Sequence, residues 1–206
     1  MKILNLYAGI GGNRKLWTPN GDEHEITAVE LDPKIAEIYQ DFFPKDKMIV
    51  TDAHAYLLKH FEEYDFVWSS PPCPSHSRIR KMAVSIQQVK PIYPDMKLYE
   101  EILLLQHYFK GKWCVENVIS FYPPLIPPQE IAKHYFWTNF FIRTLKLKTR
   151  LHHSTIKAKE NKLKFDLSSY AGIDKEKTLR NCVEPETGLH VFNEAFKSPV
   201  QSLTFA

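Results

Sequence analysis

Ile3-Leu4-Asn5-Leu6-Tyr7-Ala8-Gly9-Ile10-Gly11-Gly12 is a short apolar run that breaks into a glycine turn. Apolar Ile3, Leu4 and Leu6 predict a strand. The glycines predict a turn where missing side chains let a ligand approach the backbone. A second apolar run, from Glu25 to Leu31, ends on an acid, as a second parallel strand would. Asp32-Pro33 then predicts a helix start, with Ile35, Ile38, Tyr39 and Phe42 as its apolar face. Ile49-Val50 and the run from Phe66 to Ser69 predict further strands. A helix is expected from Met96 to Phe109, and a strand from Trp113 to Val115. Strand, turn and helix keep alternating, the pattern of an open, mostly parallel α/β sheet with helices on both faces.

Length and composition agree with one globular unit: 206 residues, 44% hydrophobic and 25% charged. Three cysteines, Cys73, Cys114 and Cys182, cannot all pair and form no C-x-x-C, so neither a disulfide framework nor a zinc module is expected. No metal is expected, and the default compartment is a reducing cytoplasm. The N-terminus runs straight into the glycine turn and reads as no signal peptide, and no apolar run reaches the length of a membrane span. The net charge of +3 does not by itself identify a partner. The charge is uneven, however. Arg143, Lys146, Lys148, Arg150, Lys157, Lys159, Lys162 and Lys164 are opposed within their stretch only by Glu160. Such a run is either a solvated face or a groove that neutralises phosphates.

In open α/β sheets the ligand sits beyond the C-terminal ends of the strands. Glu30 ends the second strand, where a carboxylate can accept from two ribose hydroxyls. Asp52 ends the third, where it can accept from an adenine amine or cap a helix. The turn lacks the G-x-x-x-x-G-K-[ST] pattern of a triphosphate site. Cys73 sits in Ser69-Ser70-Pro71-Pro72-Cys73-Pro74-Ser75-His76-Ser77, where prolines hold a thiol rigidly at a strand end. Glu116 follows Trp113-Cys114-Val115 and places a carboxylate at the mouth of another strand. If desolvated, it can share a proton with a heterocycle.

These residues together resemble the cytosine-C5 DNA methyltransferases. Tyr7-Ala8-Gly9-Ile10-Gly11-Gly12, Pro71-Pro72-Cys73, Glu116-Asn117-Val118 and Asn181-Cys182-Val183-Glu184-Pro185 occur in that family's order, with Arg180 where the last motif has glycine. The resemblance implies a Rossmann-like S-adenosylmethionine-dependent fold. It also implies a compact, stand-alone enzyme, such as a phage carries, with a very short target-recognition region. On this reading residues 1–137 are the catalytic and cofactor core, 138–179 the basic recognition region, and 180–206 a segment returning to the core. Cofactor contacts would come from Tyr7, Ala8, Gly9, Gly11, Gly12, Glu30, Leu31, Asp52, Ala53, Pro72, Asn181 and Val183. S-adenosylhomocysteine would be the product. Cys73 would be the nucleophile and Glu116 the group on the base edge, with Asn117 orienting the glutamate loop. Ser75, Arg80, Asn117, Lys157 and Lys159 would contact substrate.

One motif departs from the family. Gln129-Glu130-Ile131-Ala132-Lys133 stands where the family carries Gln-x-Arg-x-Arg on a strand, so either Lys133 supplies the cation, or Arg78 or Arg80 beside Cys73 does, or activity is reduced. The implied activity is methyl transfer to carbon 5 of a flipped-out cytosine in double-stranded DNA, by a monomer in the cytoplasm of a bacterial or phage-infected cell. A restriction-modification role is one of several compatible with it. The alternatives are the same chemistry on RNA and a non-catalytic binder with a degraded arginine motif. A small-molecule methyltransferase is disfavoured by the Pro-Pro-Cys and Glu-Asn-Val pair.

Overall fold

The computed structural model describes residues 1–17, 24–87, 89–144 and 155–197. A seven-stranded sheet runs in the order β3-β2-β1-β4-β5-β7-β6. Its strands are β1 (Lys2–Leu6), β2 (Glu25–Glu30), β3 (Lys47–Val50), β4 (Phe66–Ser69), β5 (Lys112–Val118), β6 (Gln129–Ile131) and β7 (His134–Thr138). β1 to β5 are mutually parallel, and β7 is antiparallel to β5 and β6. The Rossmann-like open sheet expected from the sequence is therefore the fold of the chain.

The helices are α1 (Pro33–Phe42), α2 (Ala53–His60), α3 (Arg78–Gln87), α4 (Lys97–Tyr108), α5 (Ile156–Leu163), α6 (Lys175–Arg180) and α7 (Pro185–Phe196). Alternation along β1 explains the layering, since a strand's successive side chains face opposite sides. Leu4 and Leu6 pack with Leu57 of α2 and Leu98, Ile102 and Leu105 of α4. Ile3 faces the other way, into a cluster with Trp17, Phe66, Trp68 and Phe192 of α7. With both faces covered, these strands are apolar almost throughout, as parallel sheets require.

Strand order reverses between β1 and β4, and in such sheets a ligand crevice opens at that switch, beyond the strand ends. The glycine turn after β1 and the Pro-Pro-Cys loop after β4 both lie there.

The basic stretch is described in part. Lys146, Lys148 and Arg150 lie outside the described residues. α5 and the turn after it bury Leu163, Phe165 and Leu167 against Ile10 and Ile38, together with Leu179 of α6. The second half of the expected recognition region is thus packed onto the core, because its apolar residues recur on one side and need a surface to cover.

Candidate active site

A cavity of about 380 Å³ opens at the switch point. One wall is the glycine turn, with Tyr7, Ala8, Gly9 and Gly12, and Glu30 closes the end of β2. The opposite wall comes from Gly172, Asp174, Lys177 and Thr178 around α6, then Asn181, Cys182 and Val183. The glycines are there for geometry. Gly9 has φ +54°, and a Cβ added to it would meet nothing within 4 Å, so its bare face opens onto free space. Gly12 is needed for close approach, since its Cβ would come within 2.5 Å of the Val183 carbonyl oxygen. That contact seats the Asn181–Val183 segment on the turn.

Glu30 is held by backbone. Its carboxylate accepts from the N–H groups of Gly9, Leu31 and Asp32 at 2.9, 2.9 and 3.1 Å. A carboxylate offers about four acceptor positions, so roughly one remains for a ligand. Glu30 also braces the glycine turn against β2.

The second constellation lies at the ends of β4 and β5. Asn117 donates from Nδ2 to the Pro71 carbonyl at 2.9 Å, tying the glutamate strand to the cysteine loop. Two further bonds stitch the loops, Phe121 N–H to the His76 carbonyl at 3.1 Å and Arg78 Nε to the Ser120 carbonyl at 3.0 Å. Glu116 is buried and Cys73 partly buried. Burial, and then the charge of Glu116, push the Cys73 thiol above its ordinary range, while Arg180 at the end of α6 pulls it down. Cys73, Glu116 and Arg180 therefore share one electrostatic neighbourhood, although 107 residues separate the first from the last. His134 faces the same carboxylate, with Nε2 3.8 Å from Glu116 Oε1.

Residues 1–92 match the C-5 cytosine-specific DNA methylase family. The matched segment holds the glycine turn, Glu30, Asp52 and Cys73, and it ends before Glu116, Lys133 and Asn181. Over those residues, which hold the first two of the four motifs, the resemblance is borne out. No curated protein matches the chain at a significant level. Among solved structures, a DNMT2 of Spodoptera frugiperda is 25% identical, over 57% of this chain and 35% of its own, with a TM-score of 0.40. A protein described as a DNA modification methyltransferase encoded within an E. coli prophage is 18% identical, over 60% and 33%, with a TM-score of 0.41. The chain thus covers about a third of the length of each of these two. The methyltransferase yhhF of Escherichia coli is 12% identical, over 66% and 73%, with a TM-score of 0.41.

Within the matched segment, several expected cofactor contacts stand away from the cavity lining. Leu31 is 66% exposed. Asp52 is exposed and caps α2, accepting from Ala55 N–H at 2.8 Å. Ala53 is buried as the first residue of that helix. Gly11 turns toward α1, where its Cβ would collide with Phe43 at 2.3 Å. Pro72 lies exposed on the cysteine loop. The sequence shows only that these residues follow strand ends; the side each one faces is decided by turn geometry.

Substrate expectations shift as well. Ser75 is buried, and its hydroxyl accepts from Asp95 N–H at 3.1 Å, so it fixes the approach to α4. His76 is 1% exposed, with Nδ1 2.6 Å from the Tyr122 hydroxyl. Arg80 donates to the Lys90 carbonyl at 3.3 Å. Lys157 pairs with Glu160 at 3.5 Å, Lys159 with Glu176 at 3.0 Å and Lys162 with Glu184 at 2.8 Å. The two distant acids were invisible as partners because only the fold brings α6 and the α7 cap beside α5.

The strand expected at Lys133 stops short of it. β6 stops at Ile131, and Ala132 and Lys133 form a two-residue hairpin with φ of +51° and +71°. Such turns need left-handed backbone at both positions. Lys133 is therefore exposed at the hairpin tip and not part of a strand. Gln129 holds the hairpin's base, donating to Thr138 Oγ1 at 2.8 Å and accepting from Ile142 N–H at 2.8 Å.

Sequence reading missed a buried carboxylate. Glu101 of α4 is fully buried and takes hydrogen bonds from the hydroxyls of Tyr7 and Ser69, at 2.7 and 2.5 Å, with His54 Nδ1 at 3.0 Å. It underlies both the glycine turn and the cysteine loop. An acid in the middle of an otherwise apolar helical face, Leu98-x-x-Glu101-Ile102-x-x-Leu105, was the available signal.

Proposed function

We propose that the chain transfers a methyl group to carbon 5 of cytosine in DNA through a covalent adduct with Cys73. The observation that carries this reading is the convergence of a thiol and a buried carboxylate, on loops tied by Asn117, beside a cavity of cofactor size. S-adenosylmethionine fits the cavity residues. The bare face of Gly9 admits a ligand to the backbone, Glu30 keeps an acceptor position for a ribose hydroxyl, and Asn181 adds a polar group to the far wall. When bound, that cofactor supplies an electrophilic methyl group.

The chain's own residues prepare the base. Cytosine C5 is a poor nucleophile until a thiolate adds to C6 and converts the ring to an enamine. Glu116 supports the addition by giving a proton to N3 as electrons enter the ring. Its charge also raises the thiol, so a carboxyl that holds a proton toward the base removes the repulsion that disfavours thiolate. Base recognition and nucleophile activation are thus one event. Arg180 supports the same change, since its charge pulls the thiol down. After methyl transfer, loss of the C5 proton releases Cys73 by elimination. The base must leave the stack to reach this buried pair.

The test is methylation sequencing of plasmid DNA from cells expressing the chain, with cellular RNA sequenced in parallel. Methylated cytosines in DNA, absent with Cys73→Ala, are the expected result. Methylation confined to RNA would overturn the DNA assignment, and none in either would favour a non-catalytic binder.

A further inference from the structure

His134 was not among the residues picked out in the sequence, and it lies outside the matched segment. Strand pairing explains its place. β7 runs antiparallel to β5 with Val118 opposite His134, so His134 and Glu116 share one face of the sheet as diagonal neighbours. Both side chains are largely buried, at 14% and 9% exposure. The imidazole Nε2 stands 3.8 Å from Glu116 Oε1, while Nδ1 is buried with no hydrogen-bond partner. A buried ring nitrogen without a partner is costly and uncommon in a finished interior. Meanwhile the motif that would bring arginines to this edge has Ile131 buried and Lys133 at the exposed hairpin tip.

We infer that His134 is the positioning residue for Glu116, donating Nε2–H to Oε1. This deepens the reading above and rests on it. When Glu116 gives its proton to N3, the carboxylate left behind is stabilised by the imidazole N–H, and the proton returns when the adduct collapses. A gap of 3.8 Å exceeds a hydrogen bond. Such contacts tighten when substrate fills the site. Of the charged groups in this neighbourhood, Glu116 faces both His134 and Cys73, and Arg180 acts on Cys73 from α6.

Two measurements test this. The first needs neither cofactor nor nucleic acid: alkylation of Cys73 by iodoacetamide in an otherwise intact chain, with Cys114 and Cys182 followed separately by peptide mass spectrometry. An N–H donor on Glu116 draws charge from the thiol, so His134→Ala should slow Cys73 alkylation by roughly three- to tenfold, and His134→Gln should restore it. In a Glu116→Gln background, His134→Ala should have no effect. The second is single-turnover methyl transfer, where His134→Ala should lower the rate by roughly ten- to a hundredfold with cofactor affinity unchanged, and His134→Gln should recover most of it. Alkylation that ignores His134, or responds equally without Glu116, overturns the pairing. If alkylation shows the coupling but wild-type protein methylates nothing, the pairing stands and the functional reading fails.

Discussion

The Tyr7 hydroxyl donates a 2.7 Å hydrogen bond to Oε1 of Glu101, 94 residues further along the chain. Tyr7 starts the glycine turn with a left-handed φ of +54°, a strained position for a residue with a side chain. Glu101 also takes the Ser69 hydroxyl, one residue before the loop that leads to Cys73. One buried carboxylate therefore fixes both halves of the site. Glu101→Ala should leave the Tyr7 and Ser69 hydroxyls without this acceptor, and His54 with Glu100 alone, at a cost of about 3–5 kcal/mol. Tyr7→Phe should cost about 1–2 kcal/mol. Urea unfolding measures both, and a Glu101→Ala variant as stable as wild type would remove the brace.

The same network makes stability depend on pH. Its hydrogen bond to Glu101 raises the His54 pKa, against the opposing effect of burial. A raised folded-state value means the contribution is complete below the unfolded value of about 6.5 and is lost as pH rises through the folded one. Urea midpoints from pH 6 to pH 9 should therefore fall more for wild type than for His54→Gln. Parallel pH curves would exclude His54 as the source.

Arg180 and Glu116 should move the Cys73 thiol in opposite directions. Arg180→Ala should slow iodoacetamide alkylation near pH 8, and Glu116→Gln should speed it, each by up to about tenfold. Equal rates in both variants would place Cys73 outside their fields.

At the hairpin tip, Lys133→Gly should relieve left-handed strain and raise stability by about 1 kcal/mol. Turnover should stay within about twofold of wild type, since His134, not Lys133, faces Glu116. A crippled but stable Lys133→Gly variant would restore the lysine as the working cation.

Much of the sheet could be read directly. Ile3, Leu4 and Leu6, the run to Glu30, and Asp32-Pro33 each carry local signals, and all formed the expected elements. Cys73 and Glu116 were readable because rigid or apolar flanks mark them. His134 and Glu101 were not, since their meaning lies in cross-strand register and helix packing, which join residues far apart in sequence. The ion pairs of the basic stretch were hidden for a similar reason. Lys159 and Lys162 look unopposed until folding brings Glu176 and Glu184 to them.

That pairing alters what salt should do. Three free phosphate contacts would steepen the dependence of log affinity on log salt by roughly 2.7 in total. Lysines already neutralised by acids release few counterions, so replacing Lys157, Lys159 and Lys162 with alanine should change the slope of DNA binding by less than about 1. Flattening by the full amount would make α5 the phosphate-binding face.

The most direct measurement uses DNA in which cytosine carries fluorine at carbon 5, incubated with the protein and S-adenosylmethionine. Fluorine cannot be eliminated as the proton is, so the protein should remain bonded to the base. A denaturation-resistant protein–DNA complex should form, whose digestion yields a peptide cross-linked at Cys73, and no complex should form with Cys73→Ala. Methylation of ordinary cytosine without any such complex, or a cross-link at Cys114 or Cys182, would contradict a covalent role for Cys73.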